Sequence, residues 1–257
     1  MSFLKRLIYI IFMISIPVSY AVEPVKPLKA LKLPRPLEPL NTELELGIFA
    51  ASGNTNSKAA KGKVLIKQDF REWKNEYLLD MFYTQNVYDG ETEVTAQKLF
   101  FSTQSDYKLS SENTSVFVFG SYTDDRLSGY DYQSTIAIGY SARLFSNETS
   151  FLNYSVGPGY SFTRANDGER ISSNIVRIEG KYRYNLSFNS KFTQTLSTEI
   201  ALNRGQNTES KSESAISAML RQNLSMKAAY SVIHNSDPLD SNEKTDTVTS
   251  LTLAYSF

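Results

Sequence analysis

The sequence offers few residues with the chemistry of a catalytic or metal site. His234 is the only histidine and cysteine is absent, so a thiolate or multi-histidine metal site is excluded. A serine hydrolase needs a base beside its nucleophile, and His234 would have to be that base, yet no serine lies in a distinguishing motif. We therefore predict no enzyme activity, no catalytic residue, no metal ion and no cofactor.

Three aspartates, Asp124, Asp125 and Asp131, cluster around one predicted loop. Carboxylate oxygens are the ligands that Ca²⁺ prefers, but the spacing is not that of a calcium-binding loop. We interpret these residues as solvated loop acids, with a divalent-cation bridge to lipopolysaccharide as the alternative.

Charged residues recur at every second position in several segments. In "NIVRIEGKYRYN" the series from Arg177 to Arg183 is charged, while the alternate positions are apolar, aromatic or glycine. A period of two is that of a β-strand, whose successive side chains point to opposite faces. One face of these strands therefore requires water or ion pairs, and the other requires an apolar surrounding.

About twelve such segments follow one another, separated by clusters of Gly, Asn, Asp and Ser that favour turns. The connections near Asn147, Asn189 and Leu224 are predicted to be short, and those near Asp89, Arg126, Asp167, Gly205 and Asp240 longer. Short turns on one rim and long loops on the other are typical of outer-membrane barrels. Within one strand, Gly157-Pro158-Gly159 predicts a bulge or bend, because proline cannot donate to the ladder.

A soluble β-sandwich also alternates, but its strands need only about 5 to 8 residues. The segments here run 10 to 18 residues, enough for a tilted strand to cross a bilayer. Backbone groups in lipid must be paired, so such a sheet has to close. The predicted fold class is an all-β, transmembrane, antiparallel up-and-down β-barrel of about twelve strands. Its aromatic girdles are predicted to include Tyr77, Tyr83, Tyr130, Tyr140, Tyr160, Phe162, Phe188 and Phe192.

The lumen of this barrel would be lined by charges of both signs. The candidate lumen-lining residues are Lys63, Lys67, Asp69, Arg143, Arg177, Glu179, Lys181, Arg183, Glu199 and Arg221, with Lys61, Arg71, Glu76, Asp80 and Glu213 on the same faces. Two interpretations are open: a salt-bridged, partly filled interior, or a weakly selective pore.

The amino-terminal residues precede the barrel. In residues 1–21, Lys5 and Arg6 lead into an apolar run that Pro17 interrupts, which predicts a signal peptide cleaved near Ala21 rather than a membrane span. Residues 22–40 contain five of the eight prolines and predict an extended linker, in the periplasm or inside the barrel. Residues 41–257 form the predicted barrel. The chain has 27 basic and 27 acidic residues, a balance that argues against a nucleic-acid partner.

Three segments resemble one known family. "ELELGIFAASGNTN" is similar to its opening, "FGSYTDDRLSGYDYQSTIAIGYSARLF" to a strand, acidic loop and strand, and "VIHNSDPLDSNEKTDTVTSLTLAYSF" to its close. This is the salt-induced outer-membrane protein family, YdiY-like, also called domain of unknown function family 481. The resemblance covers roughly residues 41–257 and implies an outer-membrane location in a Gram-negative envelope. Gly139 stands where a Gly-x-Gly would be more typical, and the proline-rich segment looks like an addition.

The last strand, "LTLAYSF", alternates in the same way. Leu251, Leu253, Tyr255 and Phe257 are predicted to face lipid. Tyr255 and Phe257 resemble the signal that barrel-assembly machinery reads on outer-membrane proteins. The expected partners are outer-membrane lipid, lipopolysaccharide and that machinery, with no nucleic acid. The expected function is a porin-like small pore or passive diffusion channel; the alternative is a closed structural barrel for envelope stress adaptation, without transport.

Overall fold

A computed structural model describes twelve strands over residues 40–51, 56–88, 91–109, 113–125, 130–238 and 243–257. The strands are β1 (Leu40–Ala51), β2 (Asn56–Asp69), β3 (Trp73–Tyr88), β4 (Glu91–Lys108), β5 (Thr114–Asp125), β6 (Tyr130–Ser146), β7 (Ser150–Ala165), β8 (Arg170–Asn185), β9 (Ser190–Ala201), β10 (Glu209–Arg221), β11 (Leu224–Asn235) and β12 (Thr245–Ser256). Among these residues, no helix is long and apolar enough to cross a membrane. The predicted signal peptide and linker lie outside the described residues.

Every strand pairs antiparallel with the next, and β1 pairs with β12, so the sheet closes into a barrel. The closing seam runs from Glu43↔Ser256 to Leu46↔Leu253, and the backbone N–H of Phe257 extends it by donating to the carbonyl of Thr42 at 2.9 Å. Closure leaves no unpaired sheet edge, which is the condition for a sheet that lies in lipid. The predicted fold class is confirmed, and its first strand begins at Leu40, one residue before the predicted boundary.

The two rims differ in the length of their connections. The turn rim carries the connections β2–β3, β4–β5, β6–β7, β8–β9 and β10–β11, and the loop rim carries the other six. The longest connections, residues 202–208 and 236–244, are on the loop rim. The longer connection predicted near Asp89 was wrong, because only two residues separate Tyr88 from Glu91. The polar residues that suggested a loop there belong to long strands, β3 with 16 residues and β4 with 18.

The outer surface carries a continuous set of exposed apolar side chains. Large apolar side chains exposed on so many strands are unusual for a soluble monomer, and hydrocarbon is the surrounding that suits them. The residues of this apolar belt, between 44% and 85% exposed, include Leu46, Ile48, Val118, Ile136, Ile138, Ile178, Leu196, Ile216, Leu251 and Leu253.

Aromatic pairs lie at both borders of this belt. Near the turn rim, Trp73 contacts Tyr107 with ring centroids 5.1 Å apart, and near the loop rim Tyr160 contacts Phe162 at 4.8 Å. Trp73 and Tyr83 bracket ten residue steps of β3, which at ~3.3 Å per residue and a tilt of ~40° separates the borders by ~25 Å, the height of a transmembrane apolar band.

One predicted girdle residue lies elsewhere. Tyr130 is only 6% exposed, and it pairs with Asp125 and Ala165 next to register shifts in β5 and β6. A single extra residue in one strand exchanges its inner and outer faces. The prediction that Tyr130 belongs to an aromatic girdle was therefore wrong.

Candidate functional site: the barrel lumen

A first ion-pair network lies in the lumen beside the β1–β12 seam. Nζ of Lys227 donates to Oε1 of Glu45 at 2.8 Å and to Oε1 of Glu213 at 3.2 Å. Nζ of Lys63 lies 3.3 Å from the same oxygen of Glu213. The network therefore links β2 to β10 by side chains alone, across the three strands between them. Lys61 lies beside it and donates from Nζ to Oγ of Ser250 at 3.4 Å.

A second network reaches from one wall of the barrel to another. Nζ of Lys181 on β8 donates to Oε1 of Glu76 on β3 at 2.8 Å, and it lies 3.1 Å from Oε1 of Glu179. Nζ of Lys67 lies 3.4 Å from Oε2 of Glu76. Strands β3 and β8 are five places apart in a ring of twelve, so the Lys181–Glu76 bond crosses the lumen.

Arg177 continues the second network toward the loop rim. Its Nη2 donates to Oε2 of Glu179 at 2.8 Å, and its Nε lies 3.7 Å from Oε1 of Glu199. Glu199 in turn accepts a hydrogen bond from Oγ1 of Thr135 at 2.7 Å. The guanidinium carbon of Arg177 lies 3.8 Å from the ring centroid of Phe119, so this cation is held by charge on two sides and by an aromatic face on a third.

The widest crossing joins diametrically opposite strands. Nζ of Lys211 on β10 lies 5.0 Å from the ring centroid of Phe100 on β4, and these strands are six places apart in the ring. Lys211 also lies 2.7 Å from Oε1 of Glu209. Side chains therefore meet across the full width of the lumen at this level.

The aromatic residues on the inner wall rest on small residues. Phe117 and Phe119 on β5 are 1% and 6% exposed, and they pair with Gly139 and Ala137 on β6. A large ring fits inside a closed barrel where the facing wall has no large side chains. Sequence reasoning missed Phe117 and Phe119 as lumen residues, because both alternating sets of "SVFVFG" are apolar or small and the period does not say which set points inward. The glycine and alanine opposite were the only available signal.

At the turn rim, three predicted lumen residues lie near the mouth. Arg143 and Arg183 are exposed there, with guanidinium carbons 5.7 Å and 6.0 Å from the ring centroid of Phe151. Asp69 is exposed at the end of β2 and forms an ion pair with Lys108. Arg71 lies in the β2–β3 turn.

Arg221 does not line the lumen, and its assignment there was wrong. A register shift between Met219 and Arg221 sets Arg221 opposite Leu224, and the side chain borders a shallow recess with Leu224 and Tyr255. Tyr255 belongs to the outer face, since it is 43% exposed and contacts Phe257 with ring centroids 4.8 Å apart. The extra residue of the bulge moved Arg221 off the inner face.

Toward the loop rim the lumen contains a polar cavity of about 60 Å³, room for a few water molecules. Hydroxyls, amides and three charged groups line it: Ser121, Thr123, Gln133, Ser134, Thr135, Ser161, Thr163, Asn207, Glu199, Glu209 and Lys211, with Ile175. Two of these residues, Glu199 and Lys211, also take part in the contacts with Arg177 and Phe100.

The loop acids and the histidine have ordinary partners. Asp125 pairs with Lys98 at 3.0 Å and Asp131 with Arg164 at 3.4 Å. Asp124 is buried. Nδ1 of exposed His234 lies 2.9 Å from Oγ1 of Thr245. In the described part of the chain, no group of three or more His, Asp or Glu residues is arranged to hold a metal ion.

Two comparisons of the sequence with known proteins found a match over most of the chain. The model of a family described as "Protein of unknown function, DUF481" matches residues 44–257. "Uncharacterized protein YdiY" from Escherichia coli (strain K12) is 26% identical over 223 residues, which cover 85% of this chain and 84% of that protein.

Three similar solved structures are each distant in sequence. The NanC porin has a TM-score of 0.45 and 9% identity and covers 85% of this chain and 98% of its own. The KdgM porin has a TM-score of 0.43 and 11% identity, covering 85% and 98%. The translocator domain of the autotransporter NalP from Neisseria meningitidis has a TM-score of 0.43 and 11% identity, covering 85% and 87%.

Proposed function

The chain belongs to the DUF481 family, proteins of unknown function, and from that premise we propose that it is a barrel of the bacterial outer membrane whose lumen is closed to passive diffusion. Its role is then structural, in adaptation of the envelope to stress such as raised salt. One observation carries the proposal: the lumen is bridged from wall to wall, by Lys181 to Glu76 at 2.8 Å and by Lys211 to Phe100 at 5.0 Å.

Three features support closure over an open pore. The bridges stand at different positions around the ring, between β3 and β8, β4 and β10, and β2 and β10. Their charges are paired, so they are not free to coordinate a passing ion. Phe117 and Phe119 fill part of the remaining wall. A weakly selective pore is the second candidate, because a polar cavity lies in the lumen on the loop-rim side of the bridged layer.

The proposal extends to export and to partners. Residues 1–21 would be removed near Ala21 on export, and the apolar belt would contact outer-membrane lipid and, at its outer border, lipopolysaccharide. The assembly machinery would contact β12, including Tyr255 and Phe257. We assign the barrel no catalytic activity, because His234 is exposed and bonded to Thr245 in a setting with no nucleophile motif.

Single-channel recording tests closure. The refolded full-length barrel in planar bilayers is expected to give no reproducible conductance steps. In the double variant Glu76→Ala, Lys181→Ala both members of the cross-lumen pair are removed. Glu179 keeps Arg177 as its partner, and Lys67, which loses its carboxylate, is 44% exposed, so the cost of an unpaired buried charge is limited and conductance is expected to appear. The matched control, Ile178→Ala with Leu196→Ala on the outer face, should stay silent. Steady conductance of the unchanged protein, equal to that of the double variant, would overturn closure.

The structural role is tested in cells. A strain without the protein is expected to grow less well at raised salt or to admit detergent more readily. Expression of the Ile178→Ala, Leu196→Ala control variant in that strain should restore normal growth and permeability. Equal growth and permeability with and without the protein would remove the envelope-adaptation role while leaving the closure result intact.

A further inference from the structure

Two arginines at the turn-rim mouth of the lumen are held in place but not neutralised. Nε of Arg143 donates to Oδ1 of Asn153, and Nε of Arg183 donates to Oδ1 of Asn185, each at 3.2 Å. Both guanidinium groups lie over the ring of Phe151. Each guanidinium group is therefore held by a hydrogen bond at Nε and lies on an aromatic face. These contacts restrict the arginine side chain before any ligand binds, so binding costs less side-chain entropy.

The outer nitrogens of both forks are available. Within the described part of the chain, neither arginine forms an ion pair, and their Nη groups have no hydrogen-bond partner. The nearest acid along β8, Glu179, is already bonded to Arg177 and Lys181. Lys191 lies opposite Asn185 on β9, where it interacts electrostatically with Arg183 and also with the carboxylate of Glu43, so we do not count it as part of the site. Both arginines are exposed to the mouth.

We propose that Arg143, Arg183 and Phe151 form a binding site for an oxyanion, a phosphate or carboxylate group carried by a soluble molecule or by a lipid headgroup. Guanidinium forks bind such groups through paired N–H···O bonds, which are short and strong because both partners are charged. The register brings the parts together, since Arg143 pairs with Asn153 across β6–β7 and Phe151 pairs with Arg183 across β7–β8. The site lies between the bridged layer and the turn rim, so a ligand reaches it without passing through the barrel.

The test is calorimetric titration of the refolded full-length protein with inorganic phosphate, in neutral detergent at low ionic strength because salt screens the interaction. We expect saturable binding that is weakened about tenfold or more in the double variant Arg143→Gln, Arg183→Gln. Arg221→Gln is the matched control, since Arg221 is at the same rim but off the inner face. Heat-modifiable gel migration verifies that each variant is folded.

Two further experiments distinguish the role of the guanidinium geometry from that of the charge, and a soluble ligand from a lipid headgroup. Arg143→Lys with Arg183→Lys keeps the charges but loses the forks, and intermediate affinity is expected. Repetition in bilayer discs with anionic lipid shows whether headgroups compete for the site: weaker phosphate binding there identifies a headgroup phosphate, and unchanged binding a soluble oxyanion, both through this site. No saturable binding by the unchanged protein, equal weakening in Arg221→Gln, or full affinity in the lysine variant would overturn the proposal.

Discussion

At the scale of single residues, the lumen is stabilised by charges that compensate one another. Glu45 has a side chain only 3% exposed, and that of Lys227 is 9% exposed. Burial of one such charge alone is costly, and it is offset only when a partner and further hydrogen bonds are present. Oε2 of Glu45 also accepts a hydrogen bond from Thr252 at 3.4 Å, and Lys227 reaches Glu213 as well. Removal of one member should therefore cost more than removal of an exposed charge.

We predict that Glu45→Gln lowers the free energy of unfolding by about 3 kcal/mol, because Lys227 keeps its charge in a buried place with one carboxylate instead of two. Equilibrium urea unfolding of the refolded protein in lipid measures it. Glu72→Gln, in the exposed β2–β3 turn, is the control and should change stability by less than about 0.5 kcal/mol. Equal effects of the two substitutions would contradict this account of the network.

At the scale of elements, the backbones of β6 and β7 lie so close at Gly157 that no side chain fits there. An added Cβ at Gly157 would lie 2.1 Å from the carbonyl oxygen of Ile138 and 2.6 Å from Cα of Gly139. The register is the same on both sides of the stretch, at Ala137↔Gly159 and at Tyr140↔Val156. Of the bulge or bend predicted at Gly157-Pro158-Gly159, the bulge was therefore wrong, and the bend stays a prediction. The glycines serve close approach of two backbones, and the bulges of β6 lie near its ends.

Gly157→Val is expected to abolish the heat-modifiable folded form, because the clash is with backbone atoms that cannot move without breaking the ladder. Gly180→Val on β8 is the control. An added Cβ there meets nothing within 4 Å, so the barrel should fold as before. Semi-native gel electrophoresis after refolding compares the two, and a folded Gly157→Val protein would show that β6 and β7 can separate without loss of closure.

At the scale of the whole molecule, closure depends on the seam between β1 and β12. Four residue pairs define the register of this seam, whereas twelve define that of β1–β2. The seam is joined in the lumen by Lys227 and Glu45. Its outer side carries Tyr255 and Phe257, the latter 68% exposed, so the Phe257 side chain contributes little packing to the folded barrel and is available to another protein.

Phe257→Ser is expected to reduce the assembled barrel in cells while the refolded protein stays folded, since only the contacts of one ring with lipid and with Tyr255 are lost and the backbone bond to Thr42 remains. Phe188→Ser, at a 95% exposed aromatic of the β8–β9 turn, is the matched control. The heat-modifiable fraction in outer-membrane preparations and the urea midpoint are the two readouts. Normal assembly of Phe257→Ser would sink the assembly-signal role.

The success of sequence reasoning varied with distance from the strand ends. In the middle of β8, Arg177 and Glu179 alternate with Val176 and Ile178, and the structure keeps that alternation between lumen and lipid. Near the rims, the positions predicted for Tyr130 and Arg221 were wrong, because bulges insert a residue that no local pattern marks. The period is thus a good guide to a face only while the ladder is regular.

The sequence by itself determined the strand period, the approximate strand count and the polarity of the two faces, because these depend on side chains two positions apart. The tertiary structure decided which charges meet. Lys181 and Glu76 are 105 residues apart in the chain, and Lys63 and Glu213 are 150 apart. Only the tilt, register and closure of the ring bring such residues within bonding distance, and these are set by all twelve strands together. The difference between a lined pore and a bridged lumen was therefore decided by the closed barrel.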